Sequence, residues 1–407
     1  MGRKIVRWGV VLVVLAVLAV VGIYQLRHPP RLPAVPAELT TRAVIPGIPG
    51  ARYFVTADLE PFVQDILAGR QREEAAQAAA GHAGELGSFD FLAVSGGGDK
   101  GAFGAGLLCG WSDAGNRPTF KAVTGVSTGA LIAPFAFLGP EYDHVLRTVY
   151  TSVRPTDISA SRNFLAAINN DGMADNRPLW TLISKFVDDD FLKKIAAEYG
   201  KGRFLLIGTT NLDARIPVIW NMGAIASSGS PRALEVFRDI LVASAAIPGA
   251  FPPTMMHVEV DGKPYDEMHV DGGASAQVFM YPPRMRATAA AMGVRMARTG
   301  RVYVIRNASL SPDWAPVERR TINIAGRAIA SLIHTQGLGD LNRIYLQTQQ
   351  DGLDFNLAII GSEFQHEHKE EFDTPYMQAL FDYGYNLSKG GYPWKKTPPG
   401  FDAPVAQ

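Results

Sequence analysis

Between Phe89 and Gly391, short apolar runs of strand length alternate with longer segments of helical period. That alternation admits few folds, and the simplest is an α/β domain in which helices cover a mostly parallel sheet. The predicted strands are Phe89–Ser95, Phe120–Val126, Arg203–Thr209, Arg215–Trp220, Val302–Ile305 and Phe355–Ile360. Helices are expected at Ala102–Ala114, Thr128–Phe137, Arg177–Phe186, Phe191–Tyr199, Arg232–Ser244, Ile322–Leu338 and Thr374–Leu387. No internal repeat or linker-like stretch interrupts the span, so residues 88–391 are expected to form one unit, a size that single α/β enzymes reach. Residues 1–28 read as a membrane-directed segment, 29–87 as a Pro-rich tether and pre-domain arm, and 392–407 as a tail.

Glycine, at 41 of 407 residues, exceeds the usual ~7% without repeat period, which points to tight turns. Two such turns follow predicted strands. The first, Ser95-Gly96-Gly97-Gly98-Asp99-Lys100-Gly101, opens a helix. Its bare amides admit a ligand oxygen, and the helix N-terminus adds partial positive charge, so the turn suits an anion, either a phosphate or an oxyanion. Gly96-x-Gly98-x-x-Gly101 has the form of a dinucleotide fingerprint, but that reading needs an acidic residue near the end of the second strand. Ser127 stands there instead. Asp99 favours the helix start, and Lys100 either orients the turn, meets a lipid phosphate, or is simply solvated.

The second turn, Gly125-Val126-Ser127-Thr128-Gly129, fits G-x-S-x-G at a strand-to-helix junction. Gly125 and Gly129 permit a sharp elbow that lifts the Ser127 hydroxyl above the sheet. On consecutive strands the two turns would lie side by side at the carboxyl edge, where α/β sheets bind ligands. A serine nucleophile needs a base. The stretch His269-Val270-Asp271-Gly272-Gly273 offers His269 or Asp271, and Gly272 and Gly273 let the backbone bend to aim the latter. A hydrolase triad through His334 would draw its histidine from mid-helix. Taken alone, G-x-S-x-G or Asp-Gly-Gly is an ordinary turn.

Elsewhere composition mostly excludes. With 39 Lys+Arg against 39 Asp+Glu, the chain lacks the basic footprint of a nucleic-acid partner. The single cysteine, Cys109, rules out an intramolecular disulfide and cysteine-based metal centres, and within its apolar helix it reads as a buried structural thiol. His366-Glu367-His368 is followed by Lys369, Glu370 and Glu371, the pattern of a solvated charged face, so no metal is expected. At the N-terminus, Arg3, Lys4 and Arg7 precede an uncharged run from Trp8 to Tyr24. At ~1.5 Å per residue the run spans about 25 Å, near the ~30 Å of a bilayer core and longer than a usual signal-peptide core. The expectation is an uncleaved signal anchor with a cytoplasmic N-terminus and an exported catalytic domain, periplasmic if bacterial. The alternative is secretion after cleavage.

Together, Gly96-Gly97-Gly98-Asp99-Lys100-Gly101, Gly125-Val126-Ser127-Thr128-Gly129 and Asp271-Gly272-Gly273 resemble, in order, the motifs of the patatin-like phospholipase family. Asp175-Asn176-Arg177-Pro178-Leu179 and the passage Ala243–Pro253 resemble the family as well, the latter with a structural role near the site. The resemblance implies a three-layer α/β/α domain holding a Ser–Asp dyad. Ser127 is then the nucleophile, Asp271 the base, and Gly96, Gly97 and Gly98 the oxyanion hole, with Lys100, Gly101, Gly125, Gly129, Gly272 and Gly273 in support. It implies no cofactor, a membrane lipid or acyl-ester substrate, and water as co-substrate. A phospholipase A is expected. The alternatives are a lysophospholipase or broader lipid esterase of the same mechanism and, from other classes, a nucleotide-binding membrane protein or a catalytically silent, membrane-tethered interaction protein. Oligomeric state has no signature in the sequence.

Overall fold

A computed structural model describes residues 14, 15, 17, 31–82, 84, 86–158, 160–161, 171–295, 298–311 and 314–401. The strands are β1 Arg52–Phe54, β2 Phe89–Val94, β3 Ala122–Val126, β4 Ala160–Ser161, β5 Ala174–Asp175, β6 Phe204–Asn211, β7 Ile216–Asn221, β8 Thr254–Val260, β9 Lys263–Asp271, β10 Gly300–Arg306 and β11 Asp354–Ile359. The longer helices are α1 Glu60–Ala79, α2 Gly101–Asp113, α3 Thr128–Leu138, α4 Asp143–Ser152, α5 Arg177–Phe186, α6 Asp189–Gly200, α7 Ala233–Ser244, α8 Thr321–Asp351 and α9 Thr374–Lys389.

All but β4 and β5 join one nine-stranded sheet in the order β1-β7-β6-β3-β2-β10-β11, with β9 on β6 and β8 on β9. Strands β6, β3, β2, β10 and β11 run parallel. The remaining pairings are antiparallel, so the sheet is mixed, and the expectation of a mostly parallel one is corrected. The physical reason lies in two short connections: residues 212–215 join β6 to β7, and Asp261-Gly262 joins β8 to β9. Both Asp261 and Gly262 have positive φ, as the tightest hairpins require, and loops this short can only reverse the chain.

Side chains alternate across the sheet and build an apolar layer on each face. Leu92, Val94, Leu205, Ile207, Tyr303 and Ile305 pack into the larger layer with α2, α3, α7 and α9. Phe91, Ala93, Phe204, Leu206, Val302 and Val304 face the other, with Phe62 and Val63 of α1 and Leu341 and Ile344 of α8. On the first face α2 and α9 meet backbone to backbone: a Cβ on Gly106 would lie 2.0 Å from the Phe381 carbonyl oxygen.

The segment read as a tether and arm is docked from Arg31 onward. Arg31 pairs with Asp213 at 2.8 Å, the Leu32 amide donates to Asp266 Oδ2 at 2.7 Å, and β1 extends the sheet. The run Trp8–Tyr24 lies, apart from Val14, Leu15 and Val17, outside the described residues. Among the described residues no helix is long and apolar enough to cross a membrane.

Candidate active site

Strand β6 positions the site by sharing one edge between two partners. Parallel β3 occupies that edge as far as Val126 opposite Gly208, and antiparallel β9 takes it over with Asp271 opposite Thr209. The two strands therefore meet end to end, which brings Ser127 against Asp271. The Ser127 hydroxyl faces the Asp271 carboxylate across one cavity, close enough to stabilise its ionised form. Burial pushes that carboxyl up to about 6, held back by the nearby Ser127 hydroxyl and the bond from the Gly273 amide. The latter is 2.7 Å long.

Ser127 sits at φ 56°, in the left-handed region, where a side-chain-bearing residue costs about 1–3 kcal/mol. The surroundings hold it there. The Ser127 amide donates to Ser244 Oγ at 3.0 Å, and Ser244 donates on to the Gly208 carbonyl at 2.7 Å. The elbow closes because its glycines lack side chains: a Cβ on Gly129 would lie 2.3 Å from the Val94 carbonyl oxygen, and one on Gly125 2.3 Å from that of Gly129.

The glycine turn lies alongside, with Gly96 packed so that a Cβ there would come 3.2 Å from Ser127 Cβ. Gly97 and Gly98 have φ 153° and 59°, and among the described residues their amides meet no acceptor. Gly96 differs. Its amide donates to the Gln277 carbonyl at 3.0 Å, so of the three glycines expected as donors this one is already engaged. Asn307 fastens the turn from β10, accepting from the Gly104 amide at 3.1 Å and donating to the Ser95 carbonyl at 2.9 Å.

Ser127, Asp271, Gly96, Gly97, Gly98, Lys100 and Gly273 all line one cavity of about 480 Å3. Ile247, Pro248, Ile329, Leu332, Ile333 and His334 also line it, so α8 forms one of its walls. Gly101, Gly125, Gly129 and Gly272 are packing positions behind it. A Cβ on Gly101 would lie 2.2 Å from Thr128 Oγ1, and one on Gly272 2.5 Å from the Gly208 carbonyl oxygen. His269 is engaged elsewhere, with Nδ1 on Thr209 at 2.9 Å and Nε2 on Glu267 at 3.0 Å, which leaves Asp271 as the group beside Ser127.

Sequence reasoning missed Gln277, Asn307 and Arg306, which have no motif spacing to mark them, and placed Ser244 only generally near the site. It also read His366–His368 as wholly solvated, whereas His368 Nε2 contacts the buried Asp99 at 2.7 Å. The two outlying passages do meet, the Asn176 side-chain amide donating to the Pro252 carbonyl at 3.5 Å, and just ahead of the first the Met173 and Ala174 amides donate to the Gly249 and Ala250 carbonyls at 3.2 and 2.9 Å. Among the described residues no group of three or more His, Cys, Asp or Glu side chains is arranged to hold a metal ion.

Fold and site define an α/β domain with a serine elbow, a facing carboxylate and a glycine turn. Residues 92–281 match the family model described as patatin-like phospholipase. The chain thus carries a patatin-like phospholipase domain, and the family supports lipid acyl-hydrolase activity in the broad sense. No curated protein matches. Among solved structures, VipD from Legionella pneumophila is similar with a TM-score of 0.34 and 11% identity, over 75% of this chain and 67% of that one. The type III effector protein ExoU follows at a TM-score of 0.21 and 14% identity, over 74% of this chain and 53%, about half, of its own.

Proposed function

We propose that the protein is a serine acyl-hydrolase cleaving carboxylic esters of membrane phospholipids, a phospholipase A acting through a Ser–Asp dyad. The observation that carries this reading is the Ser127 hydroxyl facing a buried carboxylate poised at about 6, beside two backbone amides with no acceptor. Asp271, ionised above that pH, takes the Ser127 proton as Oγ attacks the ester carbonyl. The tetrahedral oxyanion is met by the Gly97 and Gly98 amides, groups already aimed where charge develops. Collapse expels the alcohol or lysolipid, which takes its proton from Asp271. Water, activated by the same carboxylate, then frees the fatty acid and restores Ser127. The apolar wall from Ile329, Leu332 and Ile333 supports an acyl chain as the group held there.

The N-terminal run, preceded by Arg3, Lys4 and Arg7, supports a signal anchor that holds the catalytic domain at an exported membrane face. Reporter fusions at the two ends of the chain test this, and a cytoplasmic C-terminal reporter would sink it. The chemistry is tested by fluorophosphonate labelling and by turnover of a short-chain ester and a phospholipid. Ser127→Ala should lose both, and Asp271→Asn should lose turnover by roughly 10²- to 10⁴-fold. A folded wild type that neither labels nor turns over, or a Ser127→Ala variant that retains turnover, overturns the reading.

A further inference from the structure

The cavity contains a cation that the mechanism does not use. Arg306 ends β10, is 4% exposed and lines the same cavity as Ser127. Its Nε is buried without a partner, and among the described residues its guanidinium makes no hydrogen bond or ion pair. Asp340 acts on it only through its field. Its Oδ2 accepts from the Gln277 amide at 2.7 Å, and its Oδ1, 3.2 Å from Arg343 Nη1, makes no hydrogen bond. Gly337 of α8 makes room for the group: a Cβ there would lie 2.8 Å from Arg306 Nη1.

A buried guanidinium with five donors and no acceptor is costly, and its planar fork suits two oxygens of a phosphate. Position agrees with that use. The carboxyl ends of β3, β2 and β10 lie in sequence along the sheet, so Arg306 is two strand spacings, on the order of 10 Å, from the serine elbow. A glycerophospholipid carries its ester and its phosphate on one glycerol, and so presents both groups across such an interval. The acidic groups of the cavity are accounted for, since Asp99 contacts His368, Asp271 contacts Ser127, and Glu371 is held toward its neutral form by burial and by Asp99.

We propose that Arg306 binds the headgroup phosphate of the substrate and so selects phospholipids over uncharged acylglycerols, an inference that rests on the acyl-hydrolase reading above. The test uses the full chain with dioctanoyl phosphatidylglycerol and the matched dioctanoylglycerol. Arg306→Met should lower the phospholipid-to-diacylglycerol ratio of kcat/KM by about tenfold or more, with Arg306→Lys intermediate. Gly337→Ala, which crowds the guanidinium while favouring the helix, should lower the same ratio. An unchanged ratio in Arg306→Met overturns the proposal.

A second arm reads binding without turnover. In a Ser127→Ala background, calorimetry should show phosphatidylglycerol below its micellar concentration binding about tenfold more weakly once Arg306 is Met. Undiminished binding overturns the assignment, as does inorganic phosphate binding as tightly as the phospholipid, which would mark a free-anion site. Loss of binding in this arm alongside an inert wild type supports the headgroup assignment and sinks only the acyl-hydrolase reading.

Discussion

Asp271 carries opposite demands at one atom pair. Its pKa of about 6 arises first from burial, with the Ser127 hydroxyl and the Gly273 bond pulling it back. The proposed base works only when ionised, so turnover of a soluble ester should rise as pH passes through about 6 and level above it, which a pH–rate profile checks. Linkage gives the accompanying cost. A carboxyl whose pKa is raised by folding favours the folded state below its unfolded value, and that contribution is lost as pH rises through the folded one. Asp271→Asn should therefore gain stability relative to wild type above pH 6, on the order of 3 kcal/mol, and little near pH 4. Urea unfolding at both pH values reads the difference. Ser127 and Asp271 were legible in the sequence because each sits inside a glycine pattern that dictates a turn. Ser244, Gln277, Asn307 and Arg306 were not, because single polar residues far apart in the chain acquire meaning only once β6, β9 and β10 are laid side by side.

Among the elements absent from the predicted strands and helices is the β8–β9 hairpin, although it delivers Asp271. Strand β9 buries Asp266, Glu267, His269 and Asp271, and a strand whose inner residues are charged has no hydrophobic period to find. The strands of continuous apolar character, β2, β3 and β6, were found for the opposite reason. What lets β9 bury charge is a chain of partners: Arg52 of β1 pairs with Glu267, both nearly inaccessible, and Glu267 also contacts His269. Glu267 is driven down to about 2 despite its burial, chiefly by the Arg52 charge and the His269 bond. Its contribution is therefore present above pH 4.5 and lost as pH falls toward 2. Removing one member leaves an uncompensated buried charge, so Arg52→Met should cost about 3–5 kcal/mol at pH 7. Urea unfolding measures it, and because the charge left behind is Glu267, the deficit should shrink in the double variant Arg52→Met/Glu267→Gln.

At the scale of the whole molecule, the docking of Arg31 and Leu32 onto Asp213 and Asp266 changes what the Pro-rich stretch can do. Composition suggested a stiff tether running from Pro29 to Pro36, but only Gln25–Pro30 separate the apolar run ending at Tyr24 from a residue fixed to the body. Six residues reach at most about 20 Å. If the run spans the bilayer as proposed, the domain cannot range far from the membrane and its cavity is held at lipid concentration, an intramolecular advantage that needs no added contact. A chain beginning at Arg31 should keep its kcat/KM on a soluble short-chain ester within about twofold, because the docking contacts remain. On phospholipid vesicles its apparent KM should rise by about 10²-fold or more, the scale on which effective concentration acts. Reconstitution of the full chain into the same vesicles supplies the comparison. Equal KM values for the two forms on vesicles would mean that the N-terminal run does not deliver the domain to its substrate, and the anchor would then have to be sought on the body itself.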